Sequence, residues 1–263
     1  MASAKRRLAV GGLTVIAVWA IALLVLDVVV TARAATGTAQ RIGESLQGAA
    51  TIGEVDVALI RGRLVLERLA VHRDDVIGHL ALDVADVDCE LAPLGWALVD
   101  RDCSELAVRG VRLEVSTAAL FQIKHPKQRP IHANQVMIDD AELTLFPNAF
   151  LPSLGKIVIR IDHAESGPTA FVTPMSWIFS LTTLRASIDL PAGLTVHLTY
   201  DHGIFGAAGA LFGSKPVELP LELPVATLDA DAHAEIAALV KLGEDLAAGL
   251  VAKRAEDWLR QKL

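Results

Sequence analysis

Cys89 and Cys103 are the residue pair best placed to do chemistry in this chain. They bracket Leu91-Ala92-Pro93-Leu94-Gly95-Trp96, a turn-like stretch between two strand-like segments. A bridge here would close a loop of about 15 residues and stabilise the fold by about 3 kcal/mol through chain entropy. There is no Cys-x-x-Cys, so the bridge would be a staple and not a redox centre. Two free, buried thiols are the alternative.

Eight histidines are scattered without a His-x-x-x-His or His-Glu-x-x-His spacing. His72, Asp74, Asp75 and His79 form the densest group with metal-ligand chemistry, but they fall in a polar link between two strands. A solvated loop explains them without a metal. His197 and His202 flank a hairpin end, and Asp139-Asp140 reads as a turn. Nucleophile motifs are missing as well: there is no Gly-x-Ser-x-Gly and no Ser-x-x-Lys in a strand–turn–helix setting. Gly203, Gly206, Gly209 and Gly213 precede Lys215-Pro216 with no helix after them, which excludes a P-loop. Those glycines suit a strand that curves or lies close to its neighbour. The expectation is a protein without catalytic residues, cofactor or metal.

What must hold such a chain in place begins with residues 8–30, a run of 23 residues free of Lys, Arg, Glu and Gln. As a helix it measures roughly 35 Å, enough for a hydrocarbon core of about 30 Å. Asp27, its single charge, lies near the far end. Lys5, Arg6 and Arg7 precede the run, so residues 1–7 are expected in the cytoplasm, 8–31 as the transmembrane anchor, and the rest outside. A cleaved signal ending at Ala32-Arg33-Ala34 is the competing reading; its core would be unusually long. Both readings export the remainder.

That exported part is acidic. Without Lys5, Arg6, Arg7 and Asp27 it carries 21 Lys and Arg against 30 Asp and Glu, a net charge near −9. With no basic stripe, nucleic acid is excluded as a partner.

Residues 32–50 suggest a short juxtamembrane helix, with Ile42 and Leu46 one turn apart. From there to residue 228 the apolar period becomes two, the mark of strands with one buried face. Ile157, Ile159 and Ile161 alternate with polar or shorter neighbours, as do Leu194, Val196, Leu198 and Tyr200. Tyr200-Asp201-His202-Gly203-Ile204 reads as a hairpin turn. One device recurs in three copies: Leu64-x-Leu66-x-x-Leu69-x-Val71, Leu106-x-Val108-x-x-Val111-x-Leu113 and Val136-x-Ile138-x-x-Ala141-x-Leu143. The two-residue slip implies a bulge or turn, or a strand whose buried face changes halfway.

Val217, Leu219, Leu221, Leu223 and Val225 alternate with Pro216, Glu218, Pro220, Glu222 and Pro224. Proline cannot donate to a ladder, so this strand is expected at a sheet edge. Short helical inserts are expected after Ser116 or Thr117 and from Thr173-Pro174 onward. In the second insert a helix would align Trp177, Ile178, Leu181 and Leu184 on one face, either as ordinary core or as a lipid-contacting lid. Residues 229–263 read as an amphipathic helix carrying Ile236, Leu239, Leu246, Leu250 and Trp258 near one face. The fold class expected is mainly β with helices: a single N-terminal transmembrane helix, a curved, mostly antiparallel sheet forming a groove or half-barrel, short helical inserts and a C-terminal helix.

The opening resembles AsmA-like proteins of the Gram-negative envelope. A basic start, one span and a short helix lead into Ile52-Gly53-Glu54-Val55-Asp56-Val57 and Gly62-Arg63-Leu64-Val65-Leu66-Glu67-Arg68-Leu69. Leu106-Ala107-Val108-Arg109-Gly110-Val111-Arg112-Leu113 and Val136-Met137-Ile138-Asp139-Asp140-Ala141-Glu142-Leu143 are similar to the recurring strand units of that family. The resemblance implies kinship in architecture with bridge-like lipid-transfer proteins, whose long sheets curl into apolar grooves. It implies phospholipid binding or transfer in support of outer-membrane biogenesis, with membrane lipid and envelope proteins as partners. It also places the chain in the inner (cytoplasmic) membrane as a single-pass protein, with its bulk in the periplasm. A non-enzymatic structural or assembly partner with a filled core is the alternative.

Overall fold

The computed structural model describes residues 37, 39–40, 42–44, 48–58, 62–75, 78–91, 102–116, 119, 131–146, 155–171, 176–190, 193–209, 212–224 and 232–262. The expected anchor at 8–31, the cytoplasmic start and most of the juxtamembrane segment lie outside them. Among the described residues no helix is long and apolar enough to cross a membrane. Helical residues within 37–44 place Ile42 against a core cluster that includes Leu69 and Val71.

The period-two segments become strands of one sheet. In spatial order these are β1 (Ala49–Ala58), β2 (Arg63–Asp75), β3 (Gly78–Leu91), β4 (Cys103–Ser116), β5 (Ile131–Phe146) and β6 (Ile157–Ser166). They are followed by β8 (Leu181–Leu190), β9 (Leu194–Asp201), β10 (Ile204–Gly209) and β11 (Gly213–Pro220). The short β7 (Thr169–Phe171) pairs with the start of β5. Every neighbouring pair is antiparallel except β4–β5, which is parallel. The sheet is mixed, curved and unclosed, with β1 and β11 as its end strands.

The recurring slip is a crease. Across β1 to β6 the residues Gly53, Arg68, Ala85, Gly110, Asp140 and Asp162 are skipped by the ladder at one common rank. Register is the same on either side of the crease from β1 through β6, and β8 lacks the extra residue, so Asp162 ends the line as a bulge. Arg68 (φ 57°), Gly110 (φ 63°) and Asp140 (φ 54°) adopt the left-handed conformation. One such residue offsets the strand's alternation, so Leu66 and Leu69 both join the apolar cores of the same face. The buried face therefore does not switch halfway, one of the options left open by the pattern. Asp139-Asp140, expected as a turn, lies within continuous β5.

Two sequence expectations hold at the far end. His202 (φ 44°) and Gly203 (φ 91°) form the two-residue turn between β9 and β10, and the proline-rich β11 is the last strand. Gly206 and Gly209 lie close to β9: a Cβ would meet Thr199 Oγ1 at 2.5 Å and the Thr195 carbonyl oxygen at 2.4 Å, respectively. The C-terminal helix α1 (Ala232–Lys262) packs on β11, with Leu246 and Leu250 in a cluster containing Val217 and Leu219. Trp258 is not on that packed face; it is exposed.

The insert after Pro174 differs from expectation. Ser176–Ser180 is a single tight 3₁₀ turn, and Leu181 and Leu184 already belong to strand β8. The helical face that would join Trp177, Ile178, Leu181 and Leu184 is not formed. Strand pairing takes over directly after the turn: Leu181 already pairs with Ser166 of β6, and Gly167 N–H donates to the Ser180 carbonyl at 3.0 Å.

Candidate lipid-binding face

The parallel and antiparallel registers line apolar residues up across the whole sheet. Val55, Leu66, Val87, Val108, Ile138, Ala164, Leu184, Tyr200, Phe205 and Leu219 are successive cross-strand neighbours, one from each strand. On the other side of the crease Ile52, Leu69, Val84, Val111, Ala141, Ile161, Ala186, Leu198, Ala207 and Val217 form a second such row. Neither row contains a charge. A third, from Ala50 and Val71 through Leu82, Leu113, Leu143, Ile159 and Ile188 to Val196, runs parallel to them.

Burial varies along these rows. Val71, Leu80 and Val115 are buried on one flank, and Tyr200, Phe205 and Val217 on the other. Between the flanks Val108, Val111, Ile138, Leu143, Ile159 and Ile161 are only half-buried. The middle of the apolar face is therefore incompletely covered, where a filled core would bury its largest aliphatic side chains fully.

The opposite face carries most of the charges, the buried Arg73 beside Leu80 on the apolar side being an exception. Glu54, Glu67, Asp86, Arg109, Asp139 and His163 are cross-strand neighbours in one row. Within it Arg109 donates to Asp86 at 3.1 Å, and His163 Nδ1 lies 2.7 Å from Asp139 Oδ1. Arg112 holds Asp140 at 2.9 Å, Arg63 Nε donates to Asp88 at 2.9 Å, and Arg160 reaches both Glu142 and Asp189. Such exposed pairs add little stability each. They settle which face meets water. The Arg63 guanidinium's hydrogen bond holds the Asp88 carboxyl below its ordinary range, and Thr195, then Arg160, does the same for Asp189.

The His72–Asp74–His79 group is a surface hairpin feature. His72 and Asp74 lie on β2 and His79 on β3; His79 Nδ1 sits 2.7 Å from Asp74 Oδ1, which lowers the Asp74 carboxyl's pKa. His79 Nε2 is 3.7 Å from Glu114 Oε2. These contacts tie the side chains to one another, and among the described residues no group of His, Cys, Asp or Glu is arranged to hold a metal. His202 lies 2.6 Å from Asp201 and His197 is exposed elsewhere on β9.

Cys89 and Cys103 are bonded, with Cα atoms 5.5 Å apart. Both sulfurs are buried in a cluster with Leu91, Ala133 and Val136, so the staple joins β3 to β4 at one end of the apolar face. Trp177 and Ile178 sit half-buried on the 3₁₀ turn, which packs against β7 and β6. Leu184 occupies the first apolar row; Leu181 pairs with Ser166, and both leucines join the cluster around Tyr200 and Phe205. The candidates thus divide into a turn pair and a strand pair at the same end of the sheet.

The slip is legible in the sequences of β2, β4 and β5. The same spacing, Ile52-x-x-Val55, Val84-x-x-Val87 and Ile161-x-x-Ala164, was present in β1, β3 and β6 and completes the rows. The chain matches no protein-family profile, and no curated protein matches it in sequence.

Proposed function

We propose that this is a membrane-anchored, non-enzymatic protein of the cell envelope that binds phospholipid, or helps to transfer it, through an apolar β-groove. The observation that carries this reading is the pair of uncharged rows spanning ten strands, with half-buried side chains at their middle. Curling such a face inward excludes water from acyl chains, while the ion-paired face meets solvent. The resemblance to AsmA-like proteins supports the same reading. In it residues 8–31 anchor the chain in the inner membrane, the N-terminus is cytoplasmic and the bulk is periplasmic, in support of outer-membrane biogenesis. Trp177, Ile178, Leu181 and Leu184 contact lipid at one end of the groove. Membrane lipid is the ligand, and envelope proteins are further partners.

The buried clusters on both flanks favour the competing reading, a structural or assembly partner with a filled core. Mass spectrometry of lipids co-purifying with the detergent-extracted full chain separates the two. A groove predicts bound phospholipid that falls at least fivefold in Ile138→Asp, with the variant still folded by its far-ultraviolet circular dichroism. Absence of phospholipid from the wild-type protein, after mild extraction, would refute the groove.

A further inference from the structure

Helix α1 changes its apolar side halfway along. At about 100° per residue, Leu239, Leu242, Leu246 and Leu250 share a stripe; Leu246 and Leu250 pack on the sheet, Leu250 is buried, and Leu239, Leu242 and Leu246 are half-buried. In residues 251–262 the apolar residues Val251, Ala252, Ala255, Trp258 and Leu259 share a stripe centred about 175° away from the first, with Lys262 at its C-terminal end. It faces solvent, with Val251 66%, Trp258 57% and Leu259 53% exposed. The opposite side of this half carries Lys253, Arg254, Glu256, Asp257 and Arg260. Lys253 and Arg260 both pair with Glu256.

We propose that residues 251–262 dock on a bilayer surface rich in anionic phospholipid. Three observations identify a lipid surface as the occupant. The segment has the pattern of an interfacial helix, an apolar strip with an aromatic and a charged reverse. Tryptophan suits a boundary with one dry and one wet side. Charge is complementary: the segment holds four basic residues against two acidic ones, a net +2, whereas the rest of the exported chain is strongly acidic. A second copy of the chain fits less well, because five side chains, two of them alanine, fall far short of the ~800 Å² per partner of a stable dimer. The first half of α1, fixed to β11, holds the strip outward from the sheet edge. The docking surface is separate from the groove, so it stands or falls independently of lipid carriage.

Full-length protein in phosphatidylcholine nanodiscs, mixed with vesicles, provides the test. Flotation is expected with vesicles containing about 30% phosphatidylglycerol and not with pure phosphatidylcholine, and is expected to drop by more than half in about 0.5 M NaCl. Trp258→Ser with Leu259→Ser should lose at least fivefold in bound fraction, while Trp258→Phe retains most of it. The Ile138→Asp groove variant should float like wild type. Flotation unchanged by the double serine substitution, or insensitive to phosphatidylglycerol, overturns the proposal. So does a loss of flotation in Ile138→Asp, which would assign docking to the groove, or a change of oligomeric state by light scattering in the double serine variant with vesicle binding intact.

Discussion

Gly110 lies across from Ala85 at the crease, and a Cβ built on Gly110 would come within 2.7 Å of the Ala85 Cβ. Gly110 also has φ 63°, so two independent constraints select glycine at that position. The same rank holds Gly53 opposite Arg68, where a Cβ would meet Arg68 Cβ at 3.0 Å. Small residues at this rank in β1, β3 and β4 thus let the crease run across the sheet, and the crease keeps Val108 and Val111 in one apolar core.

Gly110→Ala is therefore expected to cost about 1–3 kcal/mol, from left-handed backbone strain plus the steric contact. Arg68→Gly is the control. It relieves left-handed strain of roughly 1–2 kcal/mol, adds glycine entropy of similar size, and removes only an exposed ion pair to Glu54 at 3.9 Å. Its unfolding free energy in urea should stay within about 1 kcal/mol of wild type. A Gly110→Ala protein with the wild-type midpoint would show that the crease tolerates a side chain.

Much of the fold is legible in the sequence because local chemistry and tertiary context agree there. Proline at every fourth position leaves β11 nowhere but an edge, and Gly203 after His202 matches a two-residue turn. Residues 176–184 were not legible, since the Trp177, Ile178 and Leu181 spacing satisfies a helix while the adjoining strand pairing with β6 claims Leu181 and Leu184. The rows across the sheet were hidden for another reason. They depend on register between strands far apart in sequence, and the left-handed residue at each slip is Arg or Asp twice and glycine once. The outward strip of α1 is not legible from a single 3.6-residue period over 31 residues, because the apolar angle shifts near Leu250.

Reduction of the Cys89–Cys103 bond is expected to lower stability by about 3 kcal/mol, the entropy of releasing a loop of about 15 residues. Its Cα separation of 5.5 Å fits a bridge without backbone movement. Alkylation of the protein isolated without reductant should label neither cysteine before reduction and both afterwards. The double variant Cys89→Ala, Cys103→Ala should show the same loss in the urea midpoint. Labelling of both thiols without reductant is the contrary result.

Acid should weaken the sheet through its depressed carboxylates. In the folded chain Asp88 titrates below its ordinary value because Arg63 donates hydrogen bonds to its charged form. Its stabilising contribution is complete above the unfolded value of about 3.9 and fades as pH falls through the lower folded value. Asp189, held down by Thr195 and then Arg160, behaves likewise. Melting temperature followed from pH 7 to pH 2 should therefore fall on the acid side, and Asp88→Asn should flatten that fall. Because Arg63 is largely solvated, the Asp88 effect should not exceed about 1 kcal/mol. Parallel acid limbs in both proteins would remove Asp88 from the account.

Trp177 and Ile178 give the sharpest test of the proposed groove. Both are half-buried on a turn tied down by its neighbours: Ser180 Oγ donates to the Trp177 carbonyl and Gly167 N–H to the Ser180 carbonyl, each at 3.0 Å. Those bonds use backbone atoms of Trp177 and Ser180, so they survive side-chain truncation at 177 and 178. Full core burial would make Trp177→Ser with Ile178→Ser cost several kcal/mol. Half-burial at a groove mouth predicts instead that the double variant melts within a few degrees of wild type and co-purifies with less phospholipid. Leu184→Ser, on the strand and inside the first apolar row, should do both: melt earlier and carry less lipid. If the double variant melts early and holds as much lipid per folded molecule as wild type, Trp177 and Ile178 are ordinary packing residues and the groove ends elsewhere.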